Sequence, residues 1–304
     1  MIAGATATGK SAVAQWIAER TGAAIVSADS MLVYRGMDVG TAKPTEEERR
    51  RVRYIGLDCV GPGERFSAGD WLAQVRAGLA ALPPDTPLVV AGGTGLYIRA
   101  FLEGLDAPPS DPEARERYRR LFEAGGLDAL RAEMARQGLS VAPGDAANPR
   151  RLMRALEKAA APRTPPAPAS RFCTPPSSAG ARVFLLSMDR DALAARIEMR
   201  ARQMFAQGIV EEATRIFGAG AASETAAGAI GYAEALAYAR GALSLEEAIA
   251  RVAARTRQLA KRQRTWFRHQ LQAEEVPVAP EETAESVAKR ILAVAGSPAF
   301  SAII

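Results

Sequence analysis

Eight residues near the start of the chain have the spacing of a phosphate-binding loop. Gly4, Gly9, Lys10 and Ser11 fit the pattern GxxxxGK[ST], with apolar residues before it and a helical pattern after it. Glycines permit tight backbone conformations in which several N–H groups point at one anion, and the N-terminus of the following helix adds partial positive charge. The pattern predicts a phosphate site formed by Gly4, Ala5, Thr6, Ala7, Thr8, Gly9, Lys10 and Ser11, in which the Ser11 hydroxyl reaches a magnesium ion or a phosphate oxygen.

Such a loop normally indicates a nucleoside triphosphate, so a small-molecule kinase is one interpretation. A kinase of this kind would show an apolar strand that ends in an acidic residue able to hold magnesium. The best candidate strand, residues 88–91, instead runs into Gly92, Gly93, Thr94 and Gly95. This pattern counts against a kinase.

A carboxylate follows the second apolar run of the chain. Asp29 stands where that strand ends, and at the carboxyl end of a parallel strand a side chain faces the ligand crevice. One interpretation is that Asp29 caps the following turn. The other is a general base, because deprotonating an amine as it attacks carbon requires a carboxylate within hydrogen-bond reach.

The charge of the chain is unevenly distributed. The net charge is only +5, yet residues 248–273 contain seven Lys or Arg residues and no Asp or Glu. A helix of this composition attracts a phosphate backbone, although a solvated helix face would have the same composition.

The order of patterns predicts an α/β fold, a P-loop type of parallel sheet wrapped by helices. Short apolar runs at 23–27, 52–57 and 88–91 alternate with helical patterns, and residues 191–217 read as one long helix. Only three residues precede the phosphate loop, so we expect a shortened first strand and a late start of the chain. We expect a catalytic core with basic C-terminal helices at 1–108 and 182–304, and a helical insertion with a Pro-rich loop at 109–181.

Composition narrows the class of protein further. The 304 residues are 48% hydrophobic and contain no apolar run long enough for a membrane span, and no secretory signal is evident. We therefore expect a cytoplasmic protein, without a membrane partner, and a monomer. Cys59, Cys173 and His269 are too few and too scattered for a disulfide framework or a zinc site.

Six segments, in order, make the chain resemble the tRNA dimethylallyltransferases, also called isopentenyl-diphosphate:tRNA transferases. The resemblance covers most of the chain. The segments are GATATGKS (4–11), ADSMLVYRGMDVGTAKP (28–44), GGTGLYIRAFLEGL (92–105), NPRRLMRALE (148–157), AIGYAEAL (229–236) and RQLAKRQRTWFRHQ (257–270).

The resemblance implies a reaction. A dimethylallyl group would pass from dimethylallyl diphosphate to N6 of the adenine 3′ of the anticodon, releasing diphosphate. The phosphate loop would hold the diphosphate with Mg²⁺, and Arg200, with less support Arg196, would lie near it. Asp29 would be the general base and Thr94 would lie beside N6.

The resemblance also implies contacts with the tRNA anticodon stem-loop. Matching positions are Asp29, Ser30, Met31, Leu32, Thr94, Arg115, Arg150, Arg151, Leu152, Met153, Arg154, Ala229, Ile230, Gly231, Tyr232, Lys261, Arg262, Arg264 and Arg268. Trp266 and Phe267 could stack on bases, although such a pair more often packs in a core. Residues 138–149, within the helical insertion, depart from the family pattern.

Two alternatives remain beside tRNA prenylation. A related enzyme could prenylate free adenine nucleotides, as in cytokinin synthesis, and the P-loop kinase stays possible. The insertion and the basic C-terminal stretch favour tRNA, because a nucleotide prenyltransferase would have little use for either.

Overall fold

A parallel sheet forms the centre of the first of two compact units. The computed structural model describes residues 1–105, 111–160, 182–218 and 222–295, and the chain divides into Met1–Glu103 with Pro175–Ile304, and Gly104–Thr174. Within the described residues the strands are β1 (Ile2–Gly4), β2 (Ala24–Ser27), β3 (Tyr54–Ile55), β4 (Leu88–Gly92), β5 (Phe184–Ser187) and β6 (Glu274–Pro277). All neighbouring strands are parallel. The predicted α/β class is confirmed.

Single helices alternate with the strands up to β4, and groups of helices follow β4 and β5. The helices are α1 (Lys10–Thr21), α2 (Glu46–Arg51), α3 (Ala68–Ala80), α4 (Gly95–Glu103), α5 (Pro112–Arg136), α6 (Pro149–Ala160), α7 (Arg190–Ala206), α8 (Ile209–Phe217), α9 (Glu224–Ala227), α10 (Tyr232–Ala239), α11 (Leu245–Gln270) and α12 (Ala284–Ala295). The prediction of one helix over 191–217 is wrong, because Gly208 adopts a left-handed conformation with φ 98° and separates α7 from α8. No described helix is long and apolar enough to cross a membrane.

The strand order explains where ligands can bind. It runs β3-β2-β4-β1-β5-β6, so β4 lies between the first two strands of the chain. The first strand has three residues, as its short lead predicts, and all three are buried. At the carboxyl ends of β1, β2 and β4 the chain leaves the sheet in neighbouring loops, which is where parallel α/β sheets bind ligands.

Helices α5 and α6 make up most of the described part of the second unit. Their core consists of Ala114, Tyr118, Leu130, Met134, Leu152 and Leu156, each at most 5% exposed. The N-terminus of α5 is capped by Asp111, whose side chain accepts hydrogen bonds from two backbone N–H groups. The predicted Pro-rich loop and Cys173 lie outside the described residues.

Gly92, the last residue of β4, lies so close to the loop after β2 that there is no room for a side chain at this position. A Cβ atom there would lie 2.1 Å from the Ala28 carbonyl oxygen. We expect Gly92→Ala to lower the free energy of unfolding by about 1–3 kcal/mol or more, measured by urea denaturation. The matched change Gly69→Ala should be close to neutral, since its nearest neighbour would be at 3.5 Å. Equal stability of the two variants would contradict this account of the sheet edge.

Candidate active site

A cavity of about 550 Å³ lies among the loops that follow β1, β2 and β4 and residues of α7 and α11. It brings together residues predicted for the diphosphate, the base and the tRNA, namely Thr6, Asp29, Ser30, Met31, Thr94, Arg200, Ala229, Ile230 and Arg262. An apolar wall completes it, formed by Ile197, Ala201 and Met204 of α7 and Val252 and Leu259 of α11. Polar residues of α11, among them Arg255, Thr256 and Gln258, line the cavity beside these apolar side chains. The cavity therefore offers both charged groups and hydrocarbon.

The phosphate loop connects β1 to α1, as its sequence predicts. Ala7 and Gly9 have φ values of 67° and 90°, so the backbone turns sharply where the amides are expected to converge. The Lys10 ammonium donates to the Ala5 carbonyl at 2.6 Å, while Ser11 is exposed in the first turn of α1. Burial lowers the pKa of Lys10 to about 8; the charge of Arg200 acts in the same direction and that of Asp29 opposes it. An anion in the cavity would stabilise the charged form of this lysine.

Asp29 and Thr94 lie on adjoining loops. An Asp29 carboxylate oxygen accepts the Met31 N–H at 2.9 Å, so Asp29 caps its turn and also lines the cavity. The Thr94 hydroxyl accepts the Ser30 N–H at 2.9 Å and donates to the Ser30 hydroxyl at 3.3 Å. The Thr94 N–H donates to the Ala28 carbonyl at 3.0 Å. These bonds fix the two side chains relative to each other.

Arg200 connects two walls of the cavity. Its guanidinium donates to the Thr41 carbonyl at 3.2 Å and to the Thr6 hydroxyl at 3.4 Å. Burial lowers its pKa, an effect that the charge of Asp29 opposes. Arg196, one turn earlier on α7, has a guanidinium nitrogen 3.8 Å from the position of a Cβ atom on Gly9. Both arginines therefore lie close to the phosphate loop.

Two buried carboxylates, Glu212 and Glu234, hold backbone segments beside the cavity, and neither was predicted in this role. Glu212 accepts the N–H groups of residues 38–40 at 2.9 to 3.0 Å and the Tyr232 hydroxyl at 2.7 Å. Glu234 accepts the Gly231 N–H at 3.1 Å and pairs with Arg255 at 2.5 Å. A glutamate in a helical pattern gives no signal of backbone partners as distant as those of Glu212, whereas Glu234 caps the start of its own helix, α10. Tyr232, predicted to contact tRNA, is 1% exposed.

The predicted basic residues of α11 are exposed. Lys261, Arg264 and Arg268 are spaced three and four residues apart and so lie on one face of the helix, while Arg262 reaches the cavity. Of the aromatic pair, Phe267 is buried in the core, and Trp266 packs its ring against the backbone of Gly95. Phe267 therefore packs in the core and is not free to stack on bases. Leu32, which was predicted to contact tRNA, is also buried.

The predicted residues of the second unit are grouped around α6. Glu157 is 3.5 Å from Arg115 and 2.9 Å from Arg154, and Arg151 pairs with Asp145. The Leu152 side chain is 1% exposed and belongs to the core, against which Met153 also packs. Arg150 lies at the exposed start of α6. Arg115, Arg151 and Arg154 are thus each ion-paired with an acidic side chain of the same unit.

Comparison with known proteins identifies the family. A family model described as IPP transferase matches residues 32–270. The tRNA dimethylallyltransferase of Thermus thermophilus is 43% identical over 273 residues, which cover 89% of each chain. That of Anaeromyxobacter dehalogenans is 42% identical over 298 residues, covering 96% of this chain and 98% of the relative.

A solved structure gives the same result. The full-length tRNA isopentenylpyrophosphate transferase of Bacillus halodurans superposes with a TM-score of 0.68 at 30% identity, covering 99% of this chain and 96% of that one. The resemblance seen in the six segments is confirmed, and the chain belongs to the IPP transferase family.

Proposed function

We propose that this chain transfers the dimethylallyl group of dimethylallyl diphosphate to N6 of the adenine 3′ of the anticodon in tRNA. The bond between N6 and the allylic carbon forms, the bond from that carbon to the diphosphate oxygen breaks, and diphosphate leaves. The observation that carries the proposal is one cavity lined by the phosphate-loop residue Thr6, by Asp29, Thr94 and Arg200, and by an apolar wall. Membership of the family supports it.

Cationic groups and loop amides stabilise the leaving diphosphate. Lys10 and Arg200 would supply positive charge, and loop N–H groups other than that of Thr6, which donates to Gln263, would add dipoles. Within the described residues there is no group of three His, Cys, Asp or Glu side chains that could hold a metal. Mg²⁺ needs few protein ligands where phosphate oxygens supply the others. Ser11 would hold the ion, and the ion would supply charge that neutralises the diphosphate.

The apolar wall suits the dimethylallyl group. Ile197, Ala201 and Met204 recur on one face of α7, the helix that also carries Arg200. A substrate with a charged head and a branched hydrocarbon tail therefore finds both environments within one cavity. Hydrocarbon around the allylic carbon also excludes the water that would compete with the amine.

Asp29 accepts the proton that N6 loses during attack, and Thr94 orients the amine. To reach them, the adenine must leave the stack of the anticodon loop, where bases are readily extruded. Lys261, Arg264 and Arg268 would hold the neighbouring phosphates. The contacts predicted for the second unit, the cytoplasmic location and the monomeric state belong to the same proposal.

Label transfer separates this function from the alternatives. The protein would be incubated with Mg²⁺ and radiolabelled dimethylallyl diphosphate, with either tRNA or free AMP. Label in tRNA is the expected result. Label in AMP alone would favour a nucleotide prenyltransferase, and hydrolysis of ATP with no transfer of label would favour a kinase.

Removing the base should stop the chemistry without weakening tRNA binding. Asp29→Asn keeps an oxygen for the Met31 N–H but cannot take a proton. We expect kcat to fall by roughly 10²- to 10⁴-fold while the Kd for an anticodon stem-loop is retained. Single-turnover kinetics and RNA binding would be measured on the same preparation. A near-normal rate would show that Asp29 is not the general base.

Affinity for inorganic diphosphate should depend on the charge of Lys10. Because the pKa of Lys10 is lowered to about 8, the free protein loses this positive charge as the pH rises through that value. We expect the affinity to fall by roughly tenfold between pH 7 and pH 9, relative to Lys10→Arg, which stays charged. The affinity would be measured by calorimetry on both proteins, so that the ionisation of diphosphate itself affects both values equally. Parallel pH profiles of the two proteins would contradict the prediction.

The exposed basic face of α11, Lys261, Arg264 and Arg268, should bind RNA through the charge of its phosphate groups. We expect Arg264→Ala to weaken binding of anticodon stem-loops of any sequence and to reduce the slope of log K against log salt by about 1. Arg240→Ala, at an exposed arginine just after α10, is the matched control. An unchanged salt slope in Arg264→Ala would show that the RNA phosphates do not contact this face of α11.

A further inference from the structure

A single side chain on α11 is hydrogen-bonded to two of the loops that form the cavity. The Gln263 amide oxygen accepts the Thr6 N–H at 2.8 Å, and its amide nitrogen donates to the Gly93 carbonyl at 2.9 Å. These partners fix the orientation of the amide, since a backbone N–H requires an acceptor and a carbonyl requires a donor. Both functional groups of the side chain are therefore used.

The two loops carry different parts of the reaction. Thr6 belongs to the loop that holds the diphosphate and so places the allylic carbon, whereas Gly93 precedes Thr94, which orients the attacking amine. The approach at Gly93 is close, because a Cβ atom there would be 2.5 Å from the Gln263 nitrogen and 3.6 Å from the Gly4 carbonyl oxygen. Gln263 thus sets the distance between the loop that holds the electrophile, the prenyl diphosphate, and the loop that orients the nucleophile, the adenine amine.

We infer that Gln263 is a positioning residue that aligns the allylic carbon with the adenine amine. This inference rests on the proposed function. Each substrate has its own anchors, Lys10 and Arg200 for the diphosphate and the basic face of α11 for the RNA. Loss of Gln263 leaves these anchors intact and disturbs the distance between the reacting atoms, a quantity to which rates are steeply sensitive.

The test separates rate from binding. In Gln263→Met, which has similar size but neither hydrogen bond, kcat for label transfer to tRNA is expected to fall roughly 10- to 100-fold. The Kd values for inorganic diphosphate and for an anticodon stem-loop should stay within about twofold of wild type. Gln203→Met, at an exposed position of α7, is the matched control and should leave all three values unchanged.

Two results would overturn the role of Gln263: an unchanged kcat, or losses of both affinities together with a lowered Tm, which would indicate a merely structural effect. If Gln263→Met does not fold, Gln263→Glu is measured in the same way. Its carboxylate still accepts the Thr6 N–H, but it cannot donate to the Gly93 carbonyl and places a second oxygen next to that carbonyl oxygen. Absence of transfer by the wild-type chain would instead overturn the proposed function.

Discussion

The Ala28 carbonyl oxygen occupies the space that a side chain at residue 92 would need. Through this close approach the same oxygen accepts the Thr94 N–H, at 3.0 Å, so the loop with Thr94 is tied to the loop with Asp29. The strand order puts β1 beside β4, which brings the phosphate loop to the same edge of the sheet. Three loops far apart in sequence thereby form one wall, and each supplies a different part of the proposed chemistry.

Charge in the cavity is arranged for an anion. Two partly buried cations, Lys10 beside the cavity and Arg200 in its lining, are near one carboxylate, Asp29, and desolvation lowers the pKa of both cations. In the proposed function a diphosphate group would compensate them, and the apolar side chains of α7 and α11 would receive the other end of the substrate. Binding of the prenyl donor and stabilisation of the leaving group then follow from one set of side chains.

Local patterns were predictable from sequence, and distant partners were not. The phosphate loop, the short first strand and the parallel sheet follow from spacing and periodicity. A single glycine within a helical pattern does not by itself predict a break, and the left-handed conformation of Gly208 is seen only in the structure. Glu212 and Gln263 lie in helical patterns that suit solvent-exposed side chains, and their backbone partners are 170 or more residues away. The resemblance named Leu152 and Tyr232 as tRNA contacts, but only the structure shows that both side chains are buried.

The central claim is that the acceptor is the exocyclic amine of one adenine in tRNA. The most direct measurement is mass spectrometry of nucleosides released from an anticodon stem-loop after incubation with the protein, Mg²⁺ and dimethylallyl diphosphate. The account predicts the added mass of one dimethylallyl group on the adenosine 3′ of the anticodon, and no product when purine, which lacks the amine, replaces that adenine. Addition at another nucleotide, or to the purine-containing RNA, would contradict it.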